Sequence, residues 1–287
     1  MKKIFRFALA AAMMLSLGIS CGKDGGKEKE EQKDENTEQT DEGNKEEGKT
    51  DEGTTEEPAW PKYILTMDGD DSDWAKLDQT YVVSLTAPEG RTAGHDLLKS
   101  AKIYVDPDFI NIYITFQDTI KQAVNHNLYV DFDNSDETGG YDNQFTDPNS
   151  EISFQSQIRK AGETEFISLT GTLYEWSGEV GGKYNDPETG KLMNNWEWTS
   201  IMSISDIALG AGKSLGDGIS AYEYQIRLTD DDVTTMDVVE LYEMNETQIG
   251  IGVDILAGWT DVGNLPLGKD SLLPKAKVKI APAYVAE

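Results

Sequence analysis

The chain has 287 residues, enough for one large domain or two ordinary ones built on a real core. Its 53 Asp and Glu against 25 Lys and Arg leave a formal charge of −28, which argues against nucleic acid, because a phosphate-binding surface needs clustered Lys and Arg. One cysteine rules out a disulfide framework and any Cys-rich zinc or iron–sulfur site, and two histidines, His95 and His126, leave little room for a multi-His metal centre.

Residues 1–20 read as an export signal. A basic start (Lys2, Lys3, Arg6) is followed by an apolar run from Phe7 to Leu17 that is short for a bilayer span, then by small residues. Leu17-Gly18-Ile19-Ser20-Cys21 resembles a bacterial lipobox, with Gly18 standing where the family prefers Leu. The resemblance implies that Cys21 is acylated and becomes the new N-terminus; several acyl chains, at about 0.8 kcal/mol per buried methylene, would anchor it firmly. Lys23 and Asp24 resemble the export signal of surface lipoproteins in some Gram-negative bacteria. The expected address is therefore the outer membrane, with display at the cell surface and membrane contact through the lipid anchor only.

Residues 21–57 form an expected tether. From Gly22 to Glu57 there are 15 acidic residues and six lysines, and none of Ala, Val, Ile, Leu, Met, Phe, Trp, Tyr or Cys. Such a stretch cannot bury enough apolar area to offset its ordering entropy, so disorder is expected. Thr40-Asp41-Glu42-Gly43 returns as Thr50-Asp51-Glu52-Gly53, a low-complexity repeat. As a coil the segment spans on the order of 35 Å, which suits a spacer. The first 21 residues carry +3 and the tether −9, leaving −22 on residues 58–287.

From Pro58-Ala59-Trp60-Pro61 onward, aromatic and β-branched residues return, and the pattern has period two. Ile110, Ile112, Ile114 and Phe116 alternate with Asn111, Tyr113 and Thr115, as in a half-buried strand. The same alternation marks Ile152 to Ile158, Ile167 to Leu173, Tyr222 to Leu228 and Ile249 to Ile255, the last with Gly250 and Gly252 on its other face. Asp106-Pro107-Asp108 and Gly139-Gly140 punctuate the runs as turns. Helical signals are short, at Ser203 to Leu209 and Thr229 to Tyr242. Residues 58–287 are thus expected to be all-β, a single antiparallel sandwich or barrel.

Met67-Asp68-Gly69-Asp70-Asp71-Ser72-Asp73-Trp74 resembles the opening of family 9 carbohydrate-binding modules and related DOMON-like domains, which runs Ile-Asp-Gly, polar residues, then Trp. Ala101 to Asp106 with Ile110 to Ile114, Leu128 to Asn134 through Gly140, and Tyr222 to Leu228 with its acidic Glu223 follow in the family's order, over about residues 64–265. Met67 replaces the usual Ile, and the stretch 141–200 is longer than in the family. The resemblance implies a jelly-roll-like sandwich, often an accessory sugar-binding unit and sometimes a calcium binder. Read from the residues themselves, Asp68-Gly69 is a turn and Trp74 a core or lid residue.

Asp131, Asp133 and Asp136 lie in the densest oxygen cluster outside the tether, with Asn134, Ser135, Glu137 and Thr138. Calcium takes six to eight hard oxygens, so this loop is the candidate metal site, the other reading being a solvated acidic turn. It is not an EF-hand, since Asp136 and Asp142 occupy the positions that demand Gly and Glu. Flat aromatic faces suit sugar stacking, and the region 174–198 holds Tyr174, Trp176, Tyr184, Trp196 and Trp198 beside Asn185, Asn194 and Asn195. Trp196 and Trp198 would share a face in an extended chain; the other reading places these rings in a core. Trp259, in Gly258-Trp259-Thr260-Asp261, is a second stacking candidate that reads more readily as structural, and the two histidines read as surface residues. No Gly-x-Ser-x-Gly elbow, phosphate loop or dinucleotide fingerprint stands out. The sequence therefore points to a non-enzymatic surface lipoprotein that binds glycan through Trp176, Tyr184, Asn195, Trp196 and Trp198. A structural or adhesive protein without a sugar site is the alternative.

Overall fold

In the computed structural model, Ile110, Ile112, Ile114 and Phe116 project from one side of a strand and are fully buried. The described residues are 63–91, 95–140, 144–147, 149–178, 183–185, 192–194, 197–228 and 247–284, with backbone only for 183–185 and 192–194. All belong to one compact unit, Ala59–Glu287. The expected signal, Cys21 and the tether lie outside the described residues, as does the helical signal at Thr229 to Tyr242.

In chain order the strands are β1 (Val83–Thr86), β2 (Leu98–Val105), β3 (Phe109–Gln117), β4 (Val124–Asp131), β5 (Ile152–Arg159), β6 (Phe166–Trp176), β7 (Lys183–Asn185) and β8 (Leu192–Asn194). They continue as β9 (Trp198–Ser203), β10 (Ala208–Gly216), β11 (Ile219–Arg227), β12 (Gln248–Ala257), β13 (Thr260–Leu265) and β14 (Ala276–Lys279). One sheet runs β1-β2-β3-β11-β10 and the other β13-β12-β4-β5-β6-β9; β14 pairs with the first half of β12, and β7 with β8 forms a separate ribbon. The fold is all-β, two antiparallel sheets packed as a sandwich, as the alternation predicts. The short helical signal near Ser203 is one 3-10 turn, Ile204–Asp206.

Between the sheets lie the inward residues of the alternating runs, among them Ile112, Phe116, Val130, Phe154, Leu173, Ile226 and Val253. The sheets are also tied by polar bonds. Tyr222 in β11 donates its hydroxyl to the Ile167 carbonyl in β6 at 2.7 Å, and the Leu97 amide bonds the Val262 carbonyl at 3.0 Å.

His126 departs from the expected surface position. It is 1% exposed, on the inward face of β4 with Val124, Leu128 and Val130. Nδ1 meets the Asp254 carbonyl, which can only accept, so Nδ1 carries the proton and Nε2 accepts from the Tyr224 hydroxyl of the other sheet. Burial pushes the imidazole pKa down to about 4, and the ring is neutral at ordinary pH.

The central strands are more buried than half-buried strands should be. Asn111 and Tyr113, on the outward face of β3, are inaccessible because residues 63–82 lie across that face. There Leu65, Trp74 and Leu77 pack on Tyr104, Tyr113 and Ala221. Trp74 sits in the 3-10 turn Asp73–Lys76 and donates its indole N–H to Glu223 Oε1 at 2.7 Å. The Asp68 and Gly69 amides reach Glu223 Oε2 at 3.3 Å each, and Gly69 takes a φ of 76° that favours glycine. Asp68-Gly69, Trp74 and Glu223 thus converge on one carboxylate.

Two predictions follow from these polar anchors. His126→Phe keeps a ring but strips Tyr224 of its acceptor, so the denaturation midpoint should fall by an amount matching about 1–3 kcal/mol. The double change with Tyr224→Phe should recover part of that loss, which chemical denaturation of the four proteins measures. For Glu223, burial outweighs the three N–H donors and lifts the carboxyl to about 7 from 4.5. The folded state then holds a proton that the unfolded state releases, so this group's contribution is full below pH 4.5 and is lost as pH rises through 7. The stability of the protein relative to Glu223→Gln should therefore decline across that window, as melting curves at successive pH values would show.

Candidate functional site

The loop after β4 is shaped by its own carboxylates. Asp131 accepts the Asn134 amide at 2.7 Å, with Asn134 in the left-handed region at φ 51°. Asp133 accepts the Ser135 amide at 2.9 Å and the Thr138 hydroxyl at 2.9 Å. The chain then returns to the sheet through a Gly140–Ser150 bridge, which delivers Asn149 and Glu151 beside Asp131. Glu151 Oε2 accepts the Phe132 amide at 2.8 Å, and Asn149 Nδ2 donates to Asp131 Oδ2 at 2.8 Å.

One oxygen from each of Asp131, Asp133 and Glu151 lies within 4.8 Å of the other two. Asp131 is fully buried and Glu151 is 2% exposed, while Asp133 is partly open. Lys277 on β14 reaches Asp131 Oδ2 at 3.1 Å from the solvent side. Burial raises the Glu151 carboxyl to about 8; it also raises that of Asp131, in spite of Lys277. Asp136, expected as a ligand, is exposed in the loop turn and does not join this group. Local density of acidic residues singled it out, whereas Glu151 comes from the far end of the loop at the threshold of an apolar alternating run.

The aromatic residues divide. Trp176 and Trp198 face each other across β6 and β9, with ring centroids 5.2 Å apart at 75°, and each is 8% exposed. Trp198 also meets Tyr129, which packs on Phe145. Trp176 lies so close over Gly140 that a Cβ there would come within 2.0 Å of the indole. These two rings are therefore core residues that hold the acidic loop against the sheet, and this corrects their expected role as a sugar platform. Tyr184 is at the centre of β7, paired with Met193, and its side chain is outside the described residues, as are Asn195 and Trp196.

Trp259 reverses its expected structural role: it is 78% exposed at the tip of the β12–β13 hairpin. Gly258 before it has φ 62°, and its backbone is fixed on both sides. The Gly258 amide donates to the Ala123 carbonyl at 2.7 Å, and Asn125 Nδ2 donates to the Gly258 carbonyl at 2.6 Å. The Gln122 side chain flanks Gly258, and the exposed loop 160–165 is tied to the same end by the Gly162 amide on the Lys121 carbonyl. The result is a flat apolar ring on a rigid support, bordered by polar loops.

His95 is exposed and 3.3 Å from Asp261, at a cleft of about 360 Å³ that also includes Arg91, Gln144, Lys269 and Asp270. Among the described residues no helix is long and apolar enough to cross a membrane. No protein-family model matches the chain, and no curated protein matches it.

The two aromatic environments predict opposite results. Trp198→Ala should lower stability by about 3–5 kcal/mol through the cavity it leaves. Trp259→Ala should stay within about 0.5 kcal/mol of the parent, since its ring has little to lose from water. Paired thermal melts would show the contrast.

Proposed function

We propose that this chain is a lipoprotein, acylated at Cys21 and held at the outer membrane surface, whose β-sandwich binds a glycan without catalysis. The observation that carries this reading is Trp259. An indole standing 78% exposed on an anchored hairpin presents a flat apolar face to solvent. Pyranose rings offer an apolar C–H face that such a ring can stack on, with hydroxyls left for the polar loops around it. Gln122, beside Gly258, and the exposed residues 160–165, tied to Lys121, lie at that end of the sandwich.

The convergence of Asp68-Gly69, Trp74 and Glu223 supports the resemblance to family 9 carbohydrate-binding modules and DOMON-like domains, since the separated motifs meet in one contact. Fold resemblance does not by itself assign a ligand. The acidic tether suits display at a distance from the membrane, and the net charge of the chain suits a neutral or cationic glycan better than a polyanion.

A glycan panel probed with the chain is the test. Specific binding should weaken about tenfold in Trp259→Ala, equivalent to about 1.4 kcal/mol, while the melting temperature holds. Binding untouched by that change would overturn the stacking role. Silence across the panel from folded protein would favour the structural or adhesive alternative, and release of reducing ends would reveal an enzyme.

A further inference from the structure

We propose that Asp131, Asp133 and Glu151 form a binding site for one hard divalent cation, calcium by its chemistry, which pins residues 132–140 and 149–151 to the second sheet. This inference is independent of the glycan reading and stands on four observations. The first is spacing. Three oxygens no more than 4.8 Å apart fit within about 2.8 Å of a common centre, a small inward turn from the roughly 2.3–2.6 Å that calcium keeps from its ligands.

The second is a buried oxygen with nothing to accept. Glu151 is 2% exposed, its Oε2 takes the Phe132 amide, and its Oε1 has no hydrogen-bond partner. The Thr138 hydroxyl nearby has a single proton for Glu151, the two Asp133 oxygens and the Ser135 carbonyl together. Asn149, 3% exposed, gives Nδ2 to Asp131 and leaves its own Oδ1 without a partner as well. Buried acceptors left unmet are destabilising unless something positive comes to them.

The third is charge. Once ionised by a bound cation, the three carboxylates outnumber the ammonium groups acting on Asp131, Lys277 in contact and Lys275 farther off, and the cation offsets the excess. The fourth is closure. Gly139 has φ 72°, and a Cβ there would meet the Asn149 and Ser150 backbone at 2.6 and 2.8 Å as well as Glu151 Oε1 at 2.7 Å, so glycine lets the chain close over the cluster. An all-carboxylate set without His or Cys selects a hard ion, and its irregular arrangement fits calcium better than the strict octahedron of magnesium. Water from the open side at Asp133 completes the shell. Lys277, whose side chain is 41% exposed, can swing aside as the ion enters.

The test uses the full chain, stripped with chelator and titrated with calcium chloride by calorimetry and thermal melting. One saturable site should appear above any weak binding by the acidic tether, with the melting temperature raised by about 5 °C or more at saturation. Glu151→Gln should abolish both effects. Asp133→Asn, at the partly open position where folding is least at risk, should weaken the site at least tenfold. Lys277→Gln should strengthen it, because the competing ammonium is gone. A melting temperature that is the same in chelator and in millimolar calcium would overturn the proposal. So would an equal calcium response in the parent and in Asp133→Asn, which would assign the binding to the tether.

Discussion

A carboxylate buried on the outward face of a sheet must be met by donors from whatever covers that face, and both sheets of this sandwich carry such groups. On the first sheet the carboxylate is Glu223, and the cover is residues 63–82, which bring the Trp74 indole and two backbone amides to it. On the second sheet the carboxylates are Asp131 and Glu151, and the cover is the loop that follows β4. The cost of leaving such a group unmet, about 1–3 kcal/mol and more when charged, fixes where each cover must sit. The apolar faces between the sheets drive association. The outward carboxylates decide which segment closes each side.

The two covers differ in how well they balance. Around Glu223 one carboxylate meets three N–H donors, and Trp74 adds a large apolar contact to the same place. Around Asp131 three carboxylates are gathered by amides that satisfy one oxygen at a time, with Lys277 the ammonium bonded to Asp131. The aromatic residues take up the packing role on this side. Trp176 over Gly140, with Trp198, Tyr129 and Phe145 behind it, holds the loop flat on the sheet. Gly252 belongs to the same arrangement, since a Cβ there would come within 2.4 Å of the Phe145 ring. The alternating glycines of β12 thus make room for a cover, a reason that lies outside the strand itself.

Period two made the sandwich readable. The runs around Ile112, Phe154, Tyr224 and Ile251 are the buried centres of β3, β5, β11 and β12, because a pleated strand leaves no other way to bury alternate apolar residues. The same logic was available for His126, which shares its parity with Val124, Leu128 and Val130 and lies between the sheets with them. The covers were not readable in this way. Nothing in the spacing of Glu151 from Asp131 says that a loop will bring them together, so local density pointed to Asp136 instead. Aromatic residues among Gly and Asn looked like an open loop, yet Trp176 and Trp198 are cross-strand partners in a core. Trp259 looked structural in its Gly-Trp-Thr context, and that context is a hairpin tip, where the side chain has no sheet to pack against.

The two proposed sites lie at opposite ends of one strand, which constrains how they can interact. β4 begins at Val124, paired with Ala257 beside the Trp259 hairpin, and ends at Asp131, paired with Gly250. At about 3.3 Å per residue the strand separates the exposed indole from the carboxylates by roughly 25 Å. A cation at Asp131 cannot touch a sugar stacked on Trp259. Any influence of one on the other must pass through the stability of the second sheet and its cover. Loss of glycan binding on chelation would then track loss of folded protein, and at temperatures where the stripped chain stays folded, binding and cation should be uncoupled.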